Sequence, residues 1–154
     1  MPIVYHGFGN ILTTKAQTIT CPVNTVGVMG AGLARAMRNR IQGLYSFYKS
    51  ACESGELEIG NCVIYPIPSS EQKVLLFPSK SHWKEDSVLE NIEESLRYLS
   101  EVYKTLGITE LAMIPVGCGL GQLDYTTEVK PLLYRYLDTM EIPVYILHRE
   151  NEDV

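Results

Sequence analysis

Six short apolar runs alternate with helical patterns along the chain, and several of the runs are apolar at nearly every position. A strand with one wet face alternates polar and apolar residues, whereas a continuously apolar strand needs cover on both faces. The runs are IVYHGF (3–8), AQTITCPV (16–23), NCVIYPI (61–67), KVLLFPS (73–79), ELAMIPVG (110–117) and IPVYILH (142–148). Between them, residues 31 to 41 put Leu33, Ala34, Met37 and Ile41 on one stripe, with Arg35, Arg38 and Arg40 toward the half of a helix that favours cations. A second helix carries Leu44, Phe47, Tyr48, Ala51 and Cys52 on one face before SGELEIG breaks it. Residues 87 to 106 predict a third, with Ser87 and Glu90 in a capping-box pattern, Leu89, Ile92, Leu96, Leu99 and Tyr103 at helical spacing, and Gly107 as the stop. A fourth follows LDYTT with Val129, Leu132, Leu133, Tyr136 and Leu137 inward, and Pro131 requires it to start near Thr127. This alternation predicts one layered α/β domain over residues 1 to 154, long enough to bury a core without disulfide staples.

Two glycine-rich loops each follow an apolar strand and precede a helix. The first, VNTVGVMGAGLA, holds Gly27, Gly30 and Gly32; the second, PVGCGLGQLDY, holds Gly117, Gly119 and Gly121. A helix start leaves backbone N–H groups unpaired at its positive end, so such loops suit an anion. In an open α/β sheet ligands bind at the carboxyl ends of the strands, where both loops would meet. A diphosphate with a sugar at either end fits two such loops. The glycine order is neither G-x-G-x-x-G nor a P-loop, which sets aside the common dinucleotide and nucleoside-triphosphate motifs.

Other features narrow the class. The net charge of −5 argues against wrapping a long polyanion, so any DNA contact is expected to be local, without an extended nucleic-acid face. Four cysteines without a C-x-x-C pair and three dispersed histidines predict no metal centre and reduced thiols in a cytosolic setting. No run is long enough to span a membrane, and the first residues lack a signal-peptide pattern.

The loops VNTVGVMGAGLA and IPVGCGLGQLDY resemble the two substrate-binding loops of macrodomains, which bind ADP-ribose, and the likeness runs from GFGNIL to VYIL. The resemblance implies a three-layer α/β/α sandwich around a mixed sheet of about six strands. It implies that the anion is the diphosphate of ADP-ribose, with the first loop toward the distal ribose. The residues implied to grip it are Gly9, Asn10, Ile11, Asn24, Gly27, Val28, Met29, Gly30, Ala31 and Gly32, with Pro115, Gly117, Cys118, Gly119, Leu120 and Gly121 opposite. No cofactor is implied.

Departures from the family pattern point to a branch. Where many macrodomains read Gly-Asp-Ile, this chain has Gly9, Asn10 and Ile11, so an amide replaces the carboxylate that takes the adenine amino group. Before the first loop it has only PVN, leaving Asn24 as the ribose-facing residue. LLFPSKSHW, in which Lys80 closes a buried strand, is similar to the branch of DNA ADP-ribosyl glycohydrolase antitoxins and terminal ADP-ribose–protein glycohydrolase. That resemblance implies a catalytic Lys80, whose neutral amine attacks the anomeric carbon or its opened aldehyde. The protein-directed enzyme has an aspartate after GCGL; here Gly121 stands there, as in the DNA-directed antitoxins, and Asp124 is not the matching position. His82 and Trp83 lie near Lys80 as further candidates, Trp83 by stacking on a base.

The expectation is a monomeric hydrolase that strips ADP-ribose from DNA or protein, acting catalytically and not by sequestration. Two other functions stay open on the same loops: a non-catalytic ADP-ribose reader or sponge, and a phosphatase acting on ADP-ribose 1″-phosphate.

Overall fold

The computed structural model describes residues 3–82, 84–118 and 121–148. Its strands are β1 (Ile3–Phe8), β2 (Thr18–Asn24), β3 (Val63–Pro66), β4 (Lys73–Lys80), β5 (Leu111–Met113) and β6 (Pro143–His148). Its helices are α1 (Gly32–Arg40), α2 (Leu44–Ser54), α3 (Leu89–Val102) and α4 (Lys130–Leu137), the last preceded by one π-helical turn, Tyr125–Val129. The strands form one mixed sheet in the order β1-β6-β5-β2-β4-β3. All neighbours pair in parallel except β3 with β4 at the edge.

Side-chain alternation along the strands divides the core in two. Ile19, Cys21 and Val23 of β2 and Val74 and Leu76 of β4 pack with Met37 of α1 and Leu44, Tyr48 and Ala51 of α2. Leu75 and Phe77 of β4 and Val144 and Ile146 of β6 pack with Ile92, Leu96 and Leu99 of α3 and Leu133 and Leu137 of α4. Strands read as apolar throughout are thus buried between two helical layers, and the three-layer α/β/α sandwich expected from the sequence is the fold observed.

The sheet opens where β2 meets β5. Only Thr18 with Leu111 and Ile19 with Ala112 are in register, because β5 stops at Met113 while β2 runs on to Asn24 beside β4. The helices after β2, α1 and α2, cover one face, and α4 after β5 covers the other together with α3. Neighbouring strands whose connections leave to opposite faces create a crevice at their carboxyl ends.

Two local expectations are corrected. Ser87 and Glu90 do not cap α3: the helix starts at Leu89, its N-cap is Val88, and no side chain caps it. Ser87 is instead drawn out of helical register by donating its N–H to the Gly121 carbonyl, at 2.9 Å. The run at 110–117 is a strand over Leu111–Met113 alone; Val116 then donates its N–H to Ile114 O at 2.7 Å, and the chain turns toward the crevice. Pro131 sits in the first turn of α4, just after the π-helical turn, where its missing N–H costs little.

Candidate active site

The crevice is a cavity of about 890 Å³ walled by the loops after β1, β2, β4 and β5. Of the residues expected to grip a ligand, Gly9, Asn10, Ile11, Asn24, Val28, Gly30, Ala31, Gly32, Lys80, Pro115, Gly117 and Gly121 line it. Gly119 and Leu120 lie outside the described residues, as does Trp83. Gly27, Met29 and Cys118 do not line it. Met29 is buried in the α1–α2 core, Gly27 lies under Lys49 and Cys52 of α2, and the Cys118 thiol turns back to Val116 O at 3.6 Å.

Asn24 builds the first loop. Its Oδ1 accepts from the N–H of Val26 at 3.1 Å and of Val28 at 3.3 Å, and its Nδ2 donates to Val28 O at 2.8 Å. Beneath it the Tyr48 hydroxyl lies 2.7 Å from Asn24 Oδ1 and 2.8 Å from Asn24 O. Burial, reinforced by Cys52, holds the Tyr48 pKa far above its usual value, so the phenol stays a donor. The Asn24 side chain thus shapes the loop while lining the cavity, where its second Nδ2 hydrogen has no bond from the loop. The loop delivers the chain into α1 at Ala31, an extended N-cap with no side-chain cap. The first amides of α1 are left facing the cavity, whose wall includes Gly32, Leu33 and Ala34.

Asn10 shapes the loop after β1: its Oδ1 accepts from Leu12 N–H at 2.9 Å, and its carbonyl accepts from the N–H of Thr13 and Thr14. The remaining lone pair and the amide NH₂ are left for a ligand.

The second loop is held from behind. Gly117 has φ +79°, the left-handed region, and a Cβ there would come 2.7 Å from Ile92 Cδ1. Its carbonyl accepts from Leu123 N–H at 2.9 Å. Gly121 admits no side chain: a Cβ would lie 2.2 Å from Ser87 Oγ and 2.5 Å from Gly117 O. Asp124 is a helix cap whose carboxylate accepts from Thr127 N–H at 2.9 Å. The Thr127 hydroxyl, followed by that N–H, holds the carboxyl below the usual range.

Lys80 ends β4 as the register partner of Asn24, half-buried at the cavity wall. The His82 ring is tied locally, its Nδ1 accepting from Lys84 N–H at 3.1 Å. The arrangement brings residues of both glycine loops, the first turn of α1 and the Lys80 amine to one cavity, a set suited to a diphosphate and a reacting sugar.

Several lining residues escaped the sequence reading: Ser79, Ser87, Leu12, Leu147 and the α1 residues Leu33, Ala34 and Ala36. Leu33 and Ala34 were legible only as an inward stripe; their place directly after the glycine loop was the available signal. Ser87 carried no signal, since its role depends on Gly121, distant in sequence.

The family model for the Macro domain matches residues 21–130. A Thermosipho africanus "DNA ADP-ribosyl transferase-DNA ADP-ribosyl glycohydrolase fusion protein" is 40% identical over 155 residues, covering 90% of this chain and 40% of that protein. A "DNA ADP-ribosyl glycohydrolase" of Thermus aquaticus is 34% identical over 135 residues, covering 86% and 37%. The chain thus spans about two-fifths of the length of these curated relatives. Among solved structures, Thermosipho africanus DarTG in complex with ADP-ribose superposes with a TM-score of 0.89 at 40% identity, covering 95% of this chain and 41% of that one. The macrodomain of Thermus aquaticus DarG does so with a TM-score of 0.87 at 32% identity, covering 95% and 98%.

Proposed function

The chain belongs to the macrodomain family, and on that premise we propose that it is an ADP-ribosyl glycohydrolase that releases ADP-ribose from DNA, most directly from ADP-ribosyl thymidine, with Lys80 as the catalytic amine. The observation that carries the reading is the position of Lys80. It lines the cavity at the end of β4, beside the first glycine loop, and residues of both glycine loops line the same cavity, which supports an amine within reach of a ligand held there. The names of the relatives support DNA as the carrier, and the Thermosipho complex supports ADP-ribose as the group held.

In the proposed reaction the Lys80 nitrogen attacks the anomeric carbon of the distal ribose, and the nucleobase nitrogen leaves with the proton the amine gives up. The resulting ribosylamine opens to a Schiff base. Water then hydrolyses it, freeing ADP-ribose and restoring the amine. The loops hold the diphosphate and ribose in place, so the attack is effectively unimolecular. Gly121 fits a DNA adduct: no carboxylate side chain can stand at that position beside Ser87. We place the protein, as a monomer, in the cytoplasm, where thiols such as Cys21, Cys52, Cys62 and Cys118 stay reduced.

Incubation with DNA carrying ADP-ribosyl thymidine, beside a glutamate-ADP-ribosylated protein, tests this with wild type and Lys80→Ala. Release of ADP-ribose from the DNA by wild type alone, with both proteins binding free ADP-ribose, is the expected result. Binding by both and release by neither would replace the reading with a non-catalytic ADP-ribose reader. Release of inorganic phosphate from ADP-ribose 1″-phosphate alone would make the protein a phosphatase.

A further inference from the structure

The formal charge of −5 is unevenly shared along the chain. The first 52 residues hold Lys15, Arg35, Arg38, Arg40 and Lys49 and no aspartate or glutamate; the rest hold all 18 carboxylates and eight of the 13 Lys and Arg residues. One third of the chain therefore stands at +5 inside an acidic protein. Folding puts Arg35, Arg38 and Arg40 on α1 and Lys49 on α2, all exposed. Elsewhere Arg97, Arg135 and Lys104 form ion pairs with Glu93, Glu94 and Glu141. Among the described residues, none of Arg35, Arg38, Arg40 and Lys49 has a carboxylate within ion-pair distance.

Three of these cations form a row beside the cavity. Arg35 and Arg38 are neighbours at i,i+3 on α1. The Arg38 guanidinium lies 4.0 Å over the ring of Tyr45 on α2, and Lys49 is the i,i+4 neighbour of Tyr45. The Lys49 stem then rests on the first glycine loop, where a Cβ on Gly27 would lie 3.6 Å from Lys49 Cγ. The row starts among the α1 residues Leu33, Ala34 and Ala36, which wall the cavity. The helix dipole favours Arg38 and Arg40 in the last turn of α1. Arg35, expected from the sequence in the half that favours cations, stands instead in the first half of α1, outside the last turn, so helix stability does not account for the whole row.

We propose that Arg35, Arg38 and Lys49 form a short docking track for the phosphate backbone of the DNA strand whose ADP-ribosylated base enters the cavity. The track rests on the hydrolase reading for its substrate and adds the surface that seats the carrier. A guanidinium held over a tyrosine ring by its carbon still has N–H groups to offer a phosphate. Backbone contacts of this kind set register and orientation without reading sequence. The carboxylate-rich remainder of the surface repels the strand and leaves this side as the approach.

The test compares wild type with the triple variant Arg35→Gln, Arg38→Gln, Lys49→Gln. It uses free ADP-ribose, ADP-ribosyl thymidine nucleoside, and a single strand of about 20 nucleotides, longer than usual single-strand site sizes, with and without the adduct. In the variant, KM for the modified strand and Kd for the unmodified strand rise about tenfold. The slope of log affinity on log salt falls by about 2, near 0.7 for each of three contacts. ADP-ribose affinity and nucleoside turnover stay unchanged. Equal changes on strand and nucleoside, or no change on either, overturn the track while leaving the hydrolase intact. If wild type cleaves neither substrate the hydrolase reading falls, and anisotropy of the unmodified strand still decides: salt-dependent binding lost in the variant supports the track, and its absence in wild type overturns it. Displacement of the strand by polyglutamate as effectively as by DNA would assign the row to an acidic protein segment and overturn the DNA assignment.

Discussion

Asn24 and Lys80 face one another as register partners at the carboxyl ends of β2 and β4, and they do so because the pairing slips just before them. Val23 pairs with Pro78, yet the next residue pairs with Lys80, so β4 spends an extra residue, Ser79, against β2. Such a bulge re-aims the side chains beyond it. Lys80 thereby reaches the cavity beside the residue that shapes the first glycine loop. In Asn24→Ala, Val28 O loses a donor and two loop amides lose their acceptor. ADP-ribose affinity is expected to fall at least tenfold, about 1.4 kcal/mol, by calorimetric titration. An unchanged affinity would show that the loop holds its shape without this amide.

Tyr48→Phe removes only the hydroxyl that lies against Asn24 O and Oδ1. Leaving buried acceptors short of a donor costs about 1–3 kcal/mol. The midpoint of urea unfolding should drop accordingly, with weaker ADP-ribose binding and no change in the chemical step once substrate saturates. A fall in single-turnover rate with unchanged affinity would contradict this role.

Gly121→Ala meets two fixed neighbours, Ser87 Oγ and Gly117 O. Since a backbone carbonyl cannot step aside as a side chain does, overpacking of about 1–3 kcal/mol is expected, with ADP-ribose affinity lost alongside. Ser87→Gly removes one of the two obstacles and should recover part of that loss. A Gly121→Ala protein binding ADP-ribose like wild type would refute the fit described.

A pH dependence follows from the far side of the sheet. His6 Nε2 lies 2.7 Å from the Tyr125 hydroxyl and 2.7 Å from His148 Nε2, with Tyr134 also against its ring. Burial, then the charges of His148 and Lys130, lower the His6 pKa below its ordinary 6.5. The folded state keeps this imidazole neutral while the unfolded chain takes up a proton near 6.5, so the folded protein binds fewer protons. Stability from this group is complete above 6.5 and drains away as the pH falls through the folded value. Thermal midpoints of wild type should fall below pH 6.5 more steeply than those of His6→Gln. Parallel curves would rule out the contribution.

The layers and all six strands were legible because strands covered on both faces carry a dense apolar signal, as in KVLLFPS. Both glycine loops were legible because glycine marks local backbone demands. What could not be read depends on contacts between distant segments. Ser87 looked like a helix cap, and its carbonyl partner lies at Gly121, beyond a whole helix and strand. Met29 sits in a loop of mostly small residues, and only packing against α2 explains why its side chain turns inward. Asn24 was legible as a cavity residue, but not its partner Tyr48, which comes from α2, beyond the whole of α1, and which helical periodicity marks only as inward.

The Ser87–Gly121 contact also bears on how specificity can change by mutation. An acidic side chain at position 121 cannot enter this chain in one step, because Ser87 and the Gly117 carbonyl already fill its space. Any lineage that places one there must first shrink residue 87 or shift the Gly117 peptide. A change of residue 121 is thus guarded by a steric barrier in sequence space, set by a residue that takes no part in the strand pairing of Lys80.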